Sequence, residues 1–286
     1  MLAARLDSFE DVKFPVLATP KIDGIRCLVI GDKALTRSLK PIPNLYIRHA
    51  LEFFSAHLSG CDGELTVLNA TFNEVSSAVR SHRGKPNFYY MVFDRVKDLN
   101  TPYVKRIKYL EDSALKFPYF VKPILPIAIF NSQELIEYEE KATKNGYEGV
   151  IIRSYNSIYK EGRSTLKEGY MLKIKRFKDS DARIIGFEEL MHNENTPRIN
   201  ELGYTKRSSA LAGEFPAGML GALCVEDLYT KQVFKIGSGF TDRDRIEIWD
   251  NRPLLLNKIV KYKFQQYGTK DAPRLPVFLG IREDID

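Results

Sequence analysis

The sequence predicts an α+β protein in two parts, in which a first part mixes short strands with helices and a second part is made mostly of strands. The chain has 286 residues, which is enough for two ordinary domains. Its 44% hydrophobic and 28% charged residues are typical of a globular protein and exclude a disordered or collagen-like chain. The hydrophobic pattern changes at about residue 176, which we take as the predicted boundary.

In the first part, apolar runs flank a Pro-Lys-Ile-Asp-Gly segment and place Lys21 where a strand meets a loop. Asn44 precedes one helical segment as a candidate N-cap, and Asn131 with Glu134 forms a capping-box pattern before another. The predicted strands cover 16–19, 25–30, 64–68, 88–93, 149–153 and 171–177, and the predicted helices cover 45–58, 71–82 and 132–146.

The second part contains five strand-like segments and one short helix that Thr241 caps. The strands are predicted over 182–187, 220–225, 232–236, 258–264 and 277–281. Five short strands and one helix in about 110 residues predict a small β-barrel such as an OB-fold. A polar segment over 192–218 separates the first two strands, and a loop of that length is either functional or disordered.

The distribution of charge indicates where a polyanion would bind. The net charge is +6, but residues 1–176 carry 27 Lys and Arg against 20 Asp and Glu, whereas residues 177–286 carry 16 against 17. A polyanionic partner is therefore expected mainly on the first part.

Other global features predict an intracellular protein, in the cytoplasm or in the nucleus of a eukaryotic host. The three cysteines form no CxxC pair, which fits neither a disulfide framework nor a zinc site. No apolar run is long enough to span a membrane, and the first residues lack the apolar core of a signal peptide.

Lysine is the most plausible nucleophile in this chain. The sequence contains no GxxxxGKS or GxxxxGKT phosphate loop and no GxGxxG turn, and its four histidines lie in separate segments. In the segment Lys-Ile-Asp-Gly-Ile-Arg that begins at Lys21, a partly desolvated amine would be nucleophilic. The alternative is a surface lysine ahead of an Asp-Gly turn.

Three further segments carry candidate functional groups. Strand alternation places Lys173 and Lys175 on one face, where a phosphate could bridge them, although an exposed basic strand edge is an equal alternative. Glu64 and Glu148 each stand beside a strand and could bind ribose hydroxyls or a divalent metal, or simply belong to turns. Phe93 belongs to an aromatic strand that could stack on a base or pack in the core.

The order of these segments is more specific than any one of them. Along the chain stand KxDGxR, Arg37, DGE, an aromatic strand that ends in Phe93-Asp94, EGVxxR and LKxKR. This order resembles the covalent nucleotidyltransferase superfamily, which comprises ATP-dependent DNA ligases, RNA ligases and mRNA capping enzymes. The resemblance covers essentially the whole chain and is greatest to minimal ATP-dependent DNA ligases, which contain only a nucleotidyltransferase domain and an OB domain.

The resemblance implies an adenylation (nucleotidyltransferase) domain of mixed antiparallel sheets and helices over 1–176. It implies an OB-fold β-barrel over 177–286, with a DNA-gripping latch inserted at about 192–218. The implied substrates are ATP, with Mg²⁺ or Mn²⁺, and nicked duplex DNA, which a monomer encircles without an obligate protein partner. An RNA ligase, a capping guanylyltransferase and a catalytically inactive nick-binding module remain alternatives.

The resemblance also implies a role for each matching residue. Lys21 would be the nucleophile, Lys173 and Lys175 would contact the α-phosphate, and Asp23 would act in the later steps. The implied nucleotide contacts are Glu64 for ribose, Phe93 for adenine, Arg274 and Arg282 for pyrophosphate, and in addition Arg26, Arg37 and Glu148. The implied metal ligands are Glu148 and Glu64. The implied DNA contacts are Arg37, Arg176, Arg198, Lys206 and Arg207.

Overall fold

The computed structural model describes residues 1–6, 8–175, 177–265 and 272–282 of the chain. The chain divides into two compact units, Met1–Lys175 and Arg176–Asp286. None of the helices in these described ranges is both long and apolar enough to cross a membrane.

The first unit contains ten strands and five α-helices among the described residues. Its strands are β1 (Ala4–Arg5), β2 (Val16–Pro20), β3 (Ile25–Ile30), β4 (Lys33–Thr36), β5 (Cys61–Val67), β6 (Phe88–Arg95), β7 (Val121–Pro123), β8 (Ile127–Ile129), β9 (Val150–Ser154) and β10 (Leu172–Ile174). Its helices are α1 (Leu45–Phe53), α2 (Ser55–Leu58), α3 (Phe72–Arg80), α4 (Tyr103–Ser113) and α5 (Ser132–Lys144).

These strands form two mostly antiparallel five-stranded sheets. One sheet has the order β1-β10-β9-β2-β8 and the other has the order β4-β3-β5-β6-β7. Each sheet has its own apolar core: α1 and α3 contribute to the core beside the second sheet, and α5 contributes to the core beside the first. Because β2 belongs to one sheet and β3 to the other, the segment that contains Lys21 connects the two sheets.

The predicted helix starts are present in the structure. The Asn44 side chain accepts a hydrogen bond from the backbone N–H of Ile47, and Thr71 forms a complete capping box with Glu74. Asn131 caps α5 by accepting from the N–H of Glu134. The single helix expected over 45–58 is instead interrupted at Phe54, which leaves helical geometry and places its ring edge-on to Phe120.

Among its described residues, the second unit consists of a curved main sheet, a small hairpin and two α-helices. Its elements are β11 (Lys178–Asn193), β12 (Arg198–Ile199), β13 (Thr205–Lys206), β14 (Glu214–Asp227), β15 (Val233–Ile236), α6 (Asp242–Asp250), α7 (Arg252–Leu255), β16 (Ile259–Phe264) and β17 (Val277–Ile281). The main sheet has the order β15-β14-β11-β16-β17. A parallel bridge between Ser238 and Val277 joins its two edges, so the sheet curves round into a barrel, as the OB-fold prediction requires.

The polar segment 192–218 is more regular than a loop. The strands β11 and β14 extend into it from both sides and remain paired as far as Asn193 and Glu214. Between them, β12 and β13 form a small antiparallel hairpin in which Arg198 lies opposite Lys206. The strands predicted over 182–187 and 220–225 are therefore too short, because strand pairing continues beyond the apolar core through residues that are exposed or only partly buried.

Candidate active site

A cavity of about 270 Å³ in the first unit is lined by basic and apolar side chains in equal number. Glu64 is the acidic residue of its lining, and Phe93 is the aromatic one. The seven cationic residues are Lys21, Arg26, Arg37, Arg153, Arg163, Lys173 and Lys175. Seven cations with one carboxylate form a site suited to a polyanion such as a nucleotide.

Backbone hydrogen bonds fix Lys21 beside the start of β9. The N–H of Lys21 donates to the carbonyl of Gly149 at 2.8 Å, and the N–H of Glu148 donates to the carbonyl of Lys21 at 3.1 Å. Gly149 has φ +148°, and a Cβ atom there would lie 2.1 Å from the carbonyl oxygen of Ile174. Only glycine fits this position, and its close approach brings Glu148 and Lys21 together.

Glu148 links two of the pocket lysines through its carboxylate. Lys21 donates to Oε2 of Glu148, and Lys175 donates to Oε1. The Glu148 side chain is only 7% exposed. Burial alone would raise its pKa, but the charge of Lys21 and the hydrogen bonds from both lysines outweigh burial and keep the pKa of Glu148 below its usual value. The three groups therefore form a charged triad with a net charge of about +1.

Lys173 and Lys175 lie in a strongly positive environment. The pKa of Lys173 is lowered, first by burial and then by the charges of Lys175, Arg163 and Lys21. The pKa of Lys175 is lowered mainly by burial, against the hydrogen bond to Glu148. A bound phosphate would relieve the repulsion between these cations, which supports the prediction that the two lysines share an anion.

Glu64 is a carboxyl group whose protonated form is more stable than that of an ordinary glutamate. Burial raises its pKa to about 7, although Arg26 and Lys21 both act to lower it. Gly24 lies against this residue, because a Cβ atom on Gly24 would be 2.3 Å from the carbonyl oxygen of Leu65 and 2.9 Å from Cγ of Glu64. The glycine of the KxDG segment therefore allows β3 and β5 to bring Glu64 to the pocket.

Phe93 lies between guanidinium groups. The centre of its ring is 4.9 Å from Cζ of Arg26 and 5.8 Å from Cζ of Arg153. Asp62 forms two hydrogen bonds with Arg26, and a third with the hydroxyl of Tyr159 at 2.7 Å. Arg153 likewise donates a hydrogen bond to the buried carboxylate of Asp94. Each of the two arginines beside Phe93 is thus oriented by a buried carboxylate.

The acids that hold these arginines were not predicted as site residues. Asp62 stands in the DGE segment, Asp94 follows Phe93, and Arg153 ends the EGVxxR segment. Each therefore belongs to a segment that the sequence analysis singled out, without a role of its own. Arg163, another pocket cation, also had no predicted role.

Of the remaining predicted site residues, those that the structure describes lie outside the cavity lining, as does Glu148. Asp23 is close enough to Lys175 for its charge to oppose the lowering of the pKa of that lysine by burial and by the charge of Lys21. Arg176 lies outside the described residues. The others belong to the second unit and are Arg198, Lys206, Arg207, Arg274 and Arg282.

The acidic groups of the pocket suit a metal that takes most of its ligands from its substrate. No group of three or more His, Cys, Asp or Glu suited to a metal occurs within the described ranges. Glu64 and Glu148 are near enough for the charge of Glu148 to contribute to the raised pKa of Glu64, after burial and the opposing arginine and lysine charges. One or two carboxylates together with phosphate oxygens and water are a typical Mg²⁺ environment, so these residues fit that ion.

Comparison with known proteins identifies the family. The family model described as "ATP dependent DNA ligase domain" matches residues 1–175, and the one described as "DNA ligase OB-like domain" matches residues 215–282. The chain belongs to the ATP-dependent DNA ligase family. The resemblance seen in the sequence is confirmed, as is the α+β fold with a nucleotidyltransferase domain and an OB domain.

Several ligases are similar over most of the chain. The crystal structure of Chlorella virus DNA ligase-adenylate is 36% identical, with 98% of each chain covered and a TM-score of 0.57. A structure of Lig E DNA ligases is 22% identical, with a TM-score of 0.75 and coverage of 99% and 98%, and it shows the shared fold. A DNA ligase of Thermococcus fumicolans is 27% identical over a match of 205 residues, and the match covers 65% of this chain but only 33% of that protein. The chain thus matches about a third of the length of that ligase.

Proposed function

We propose that this ligase-family chain is an ATP-dependent DNA ligase that seals nicks with a 5′-phosphate and a 3′-hydroxyl in duplex DNA. The observation that carries the proposal is the cavity in which Lys21 lies among cationic side chains, beside Glu64 and Phe93. The 36% identity to the Chlorella virus DNA ligase over nearly the full chain supports the same activity.

In the first step, the Nζ atom of Lys21 attacks the α-phosphorus of ATP. The ammonium group of Lys21 first gives up one proton. The resulting amine forms the nitrogen–phosphorus bond while the bond from the α-phosphorus to its bridging oxygen breaks, pyrophosphate leaves, and the nitrogen loses a second proton. Lys173 and Lys175 neutralise the charge on the α-phosphate, since phosphoryl transfer depends mainly on positioning and electrostatic stabilisation. Glu64 binds the ribose, Phe93 stacks on adenine, and Arg26 contacts the nucleotide.

The second and third steps use the lysyl-AMP. An oxygen of the 5′-phosphate attacks the phosphorus of AMP and releases Lys21, which takes up a proton. The 3′-hydroxyl then attacks the 5′-phosphorus, forms the phosphodiester, loses its proton and expels AMP. We assign Arg37 to the 5′-phosphate and Asp23 to these later steps.

A divalent ion, Mg²⁺ or Mn²⁺, completes the proposed site. Glu148 would hold it, with Glu64 as a second carboxylate. When bound, the ion supplies additional positive charge to the phosphates. Because Glu148 accepts from Lys21 and Lys175 in the structure, an ion that binds Glu148 competes with two ammonium groups.

The second unit supplies the proposed contacts that hold pyrophosphate and DNA. We assign residues 1–176 to the adenylation domain and 177–286 to the OB domain, with 192–218 as a latch that grips DNA. The latch proposal is supported by the hairpin of β12 and β13, which presents Arg198 and Lys206 on exposed positions. With Arg207 and Arg176 these residues would contact DNA phosphates, and Arg274 and Arg282 would contact pyrophosphate. We propose that the enzyme acts as a monomer around nicked DNA, without an obligate protein partner.

A nick-sealing assay tests the proposal directly. The purified chain is given a nicked duplex with a labelled 5′-phosphate, ATP and Mg²⁺, and the products are separated on a denaturing gel. We expect sealing with ATP but not with GTP or NAD⁺. Sealing confined to GTP or to an all-RNA nick would identify another branch of the superfamily, and absence of any adenylylated protein would indicate an inactive binding module.

The lysine variant Lys21→Ala should abolish the label that the protein retains from α-labelled ATP. The matched control is Lys33→Ala, which removes an exposed lysine of the same unit and should retain full labelling. Retention of label by the Lys21 variant would show that another group is the nucleophile.

A further inference from the structure

Arg282 is held by a carboxylate on a strand that is not its neighbour. Asp181 lies in β11, Arg282 directly follows β17, and β16 separates these two strands in the sheet. The Nη2 group of Arg282 donates to Oδ2 of Asp181 at 2.8 Å. The side chain thus reaches across β16 to a group 101 residues away in the sequence.

The Asp181 carboxylate is poorly solvated and has spare acceptor capacity. The residue is only 9% exposed, and its Oδ1 atom is buried with no hydrogen-bond partner in the part of the chain that the structure describes. A buried carboxylate holds a nearby guanidinium firmly, because breaking their hydrogen bond would leave the carboxylate without a replacement partner from water and would cost free energy. The hydrogen bond to Asp181 therefore fixes the position of the Nη2 end of the Arg282 guanidinium group.

Arg282 remains able to bind an anion while Asp181 holds it. Its backbone N–H donates to the carbonyl of Ile259 at 2.8 Å, so the base of the side chain is also fixed. The side chain is 41% exposed. Within the described ranges, Nη2 is the guanidinium nitrogen that makes a side-chain hydrogen bond, and Nε and Nη1 keep their N–H groups for a ligand.

We propose that Asp181 is a positioning residue for Arg282, which it orients so that the remaining guanidinium N–H groups meet the leaving pyrophosphate in the first reaction step. This inference rests on the proposed function, because only the attack on ATP produces pyrophosphate. An unrestrained arginine loses side-chain entropy when it binds phosphate, and an ion pair formed in advance removes part of that cost. Because the ion pair uses one nitrogen, the phosphate can bind without breaking it.

The neighbouring charged groups form a separate ion pair and do not compete for Asp181 or Arg282. Asp179, two residues earlier on β11, pairs with Lys261 at 3.2 Å, and Lys261 lies opposite Asp181 in the strand register. Asp179 is half-exposed, whereas Asp181 is buried. The two aspartates therefore share a strand and a face but differ in partner, which makes Asp179 a matched control.

The experiment separates the first step from the last. The Asp181→Asn variant should form lysyl-AMP about tenfold more slowly than the wild type in a single-turnover assay with ATP, as expected for loss of one charge-assisted hydrogen bond. Its rate of sealing a pre-adenylylated nick without ATP should stay within about twofold of the wild type, because that step involves no pyrophosphate. Asp179→Asn should match the wild type in both assays.

A double-mutant cycle with Arg282→Ala completes the test. If Asp181 acts through Arg282, Asp181→Asn should have no further effect in the Arg282→Ala background. Asp181→Glu, which keeps the carboxylate, should recover part of the rate, and the thermal midpoint of each variant reports its folding.

Three results would overturn the inference: equal loss in both steps, additive effects in the cycle, or faster adenylylation by Asp181→Asn, which would make the ion pair a restraint on Arg282. Absence of lysyl-AMP in the wild type would instead refute the proposed function.

Discussion

At the scale of single residues, each of the two units contains buried acids that hold one or two basic side chains. Glu148 holds Lys21 and Lys175, Asp62 holds Arg26, and Asp181 holds Arg282. A carboxylate that orients a cation lowers the entropic cost of later binding a phosphate, because the long side chain is already in place. We therefore expect such acids to affect phosphate binding even where they do not touch the ligand.

Glu64 provides a prediction at this scale. Its folded-state pKa of about 7 lies above the ordinary value of 4.5, so folding binds a proton between these pH values. The free energy of unfolding contributed by this group therefore falls as the pH rises from about 4.5 to about 7 and is constant above that range. The variant Glu64→Gln should be more stable than the wild type at pH 8, by about 3 kcal/mol, and equal to it near pH 4.

Urea unfolding of both proteins between pH 4 and 8 measures this difference. Glu161→Gln, which changes an exposed glutamate outside the pocket, is the control and should follow the wild type across the range. A stability difference between Glu64→Gln and the wild type that does not change with pH would contradict the assigned environment. The stabilised variant should also bind ATP less well, a cost expected where a binding site retains an unfavourable buried group.

At the scale of elements, helix α4 is attached to the sheet by a buried ionic cluster. Arg106 is fully buried and donates through Nε to Oδ1 of Asp94 at 2.9 Å and through Nη1 to the carbonyl of Ser157 at 3.0 Å. Asp94 also accepts from Arg153, which lines the pocket. The cluster thus connects α4, β6, β9 and the loop after β9.

Removal of Arg106 should be strongly destabilising. Arg106→Ala leaves the Asp94 carboxylate with half of its charge compensation and creates a cavity, so the free energy of unfolding should fall by about 3–5 kcal/mol. Lys105→Ala, an exposed neighbour on the same helix, should change it by less than about 0.5 kcal/mol. Chemical denaturation of the wild type, Arg106→Ala and Lys105→Ala measures the three free energies of unfolding. Equal values would show that the cluster does not stabilise the attachment of α4 to the sheet.

At the scale of the whole molecule, the distribution of charge matches the division into two units. The basic excess lies in residues 1–176, where the cationic cavity is found, whereas residues 177–286 are nearly neutral. Three of the sixteen basic residues of that balanced second unit, Arg198, Lys206 and Arg207, lie on the hairpin of β12 and β13 or just after it. A local group of cations on a neutral unit is the arrangement expected of a specific phosphate contact.

Replacement of Arg198, Lys206 and Arg207 by alanine should weaken binding to a nicked duplex and reduce its dependence on salt. Each phosphate contact contributes about 0.9 to the slope of log affinity against log salt concentration, so the slope should fall by about 2 to 3. The rate of lysyl-AMP formation should be unchanged. Titrations at several salt concentrations measure the slope.

The control for net charge replaces Lys116, Lys141 and Lys144, which are exposed in the first unit, by alanine. This variant loses the same charge but should keep the steeper slope. Equal slopes for the two triple variants would mean that the hairpin contributes only its charge and not a defined contact.

The sequence alone determined the fold class, the family and the basic segments of the site, because each of these depends on local signals. Helix caps such as Asn44 and Asn131, the glycine in KxDG and the alternation around Lys173 act within a few residues of the chain. Helix α4 and strands β4, β7 and β8 have weaker local patterns and were not predicted. Strands β11 and β14 are longer than predicted, because they extend beyond the apolar segments that indicated them.

Only the tertiary structure decided which charges are paired. Asp62 meets Arg26 across neighbouring strands, Asp94 meets Arg106 and Arg153 from a helix and another sheet, and Asp181 meets Arg282 across an intervening strand. Such contacts depend on strand order and register, which residues close in sequence do not specify. A motif can therefore indicate which cations serve the chemistry, whereas the acids that orient them become visible only when the sheets are assembled.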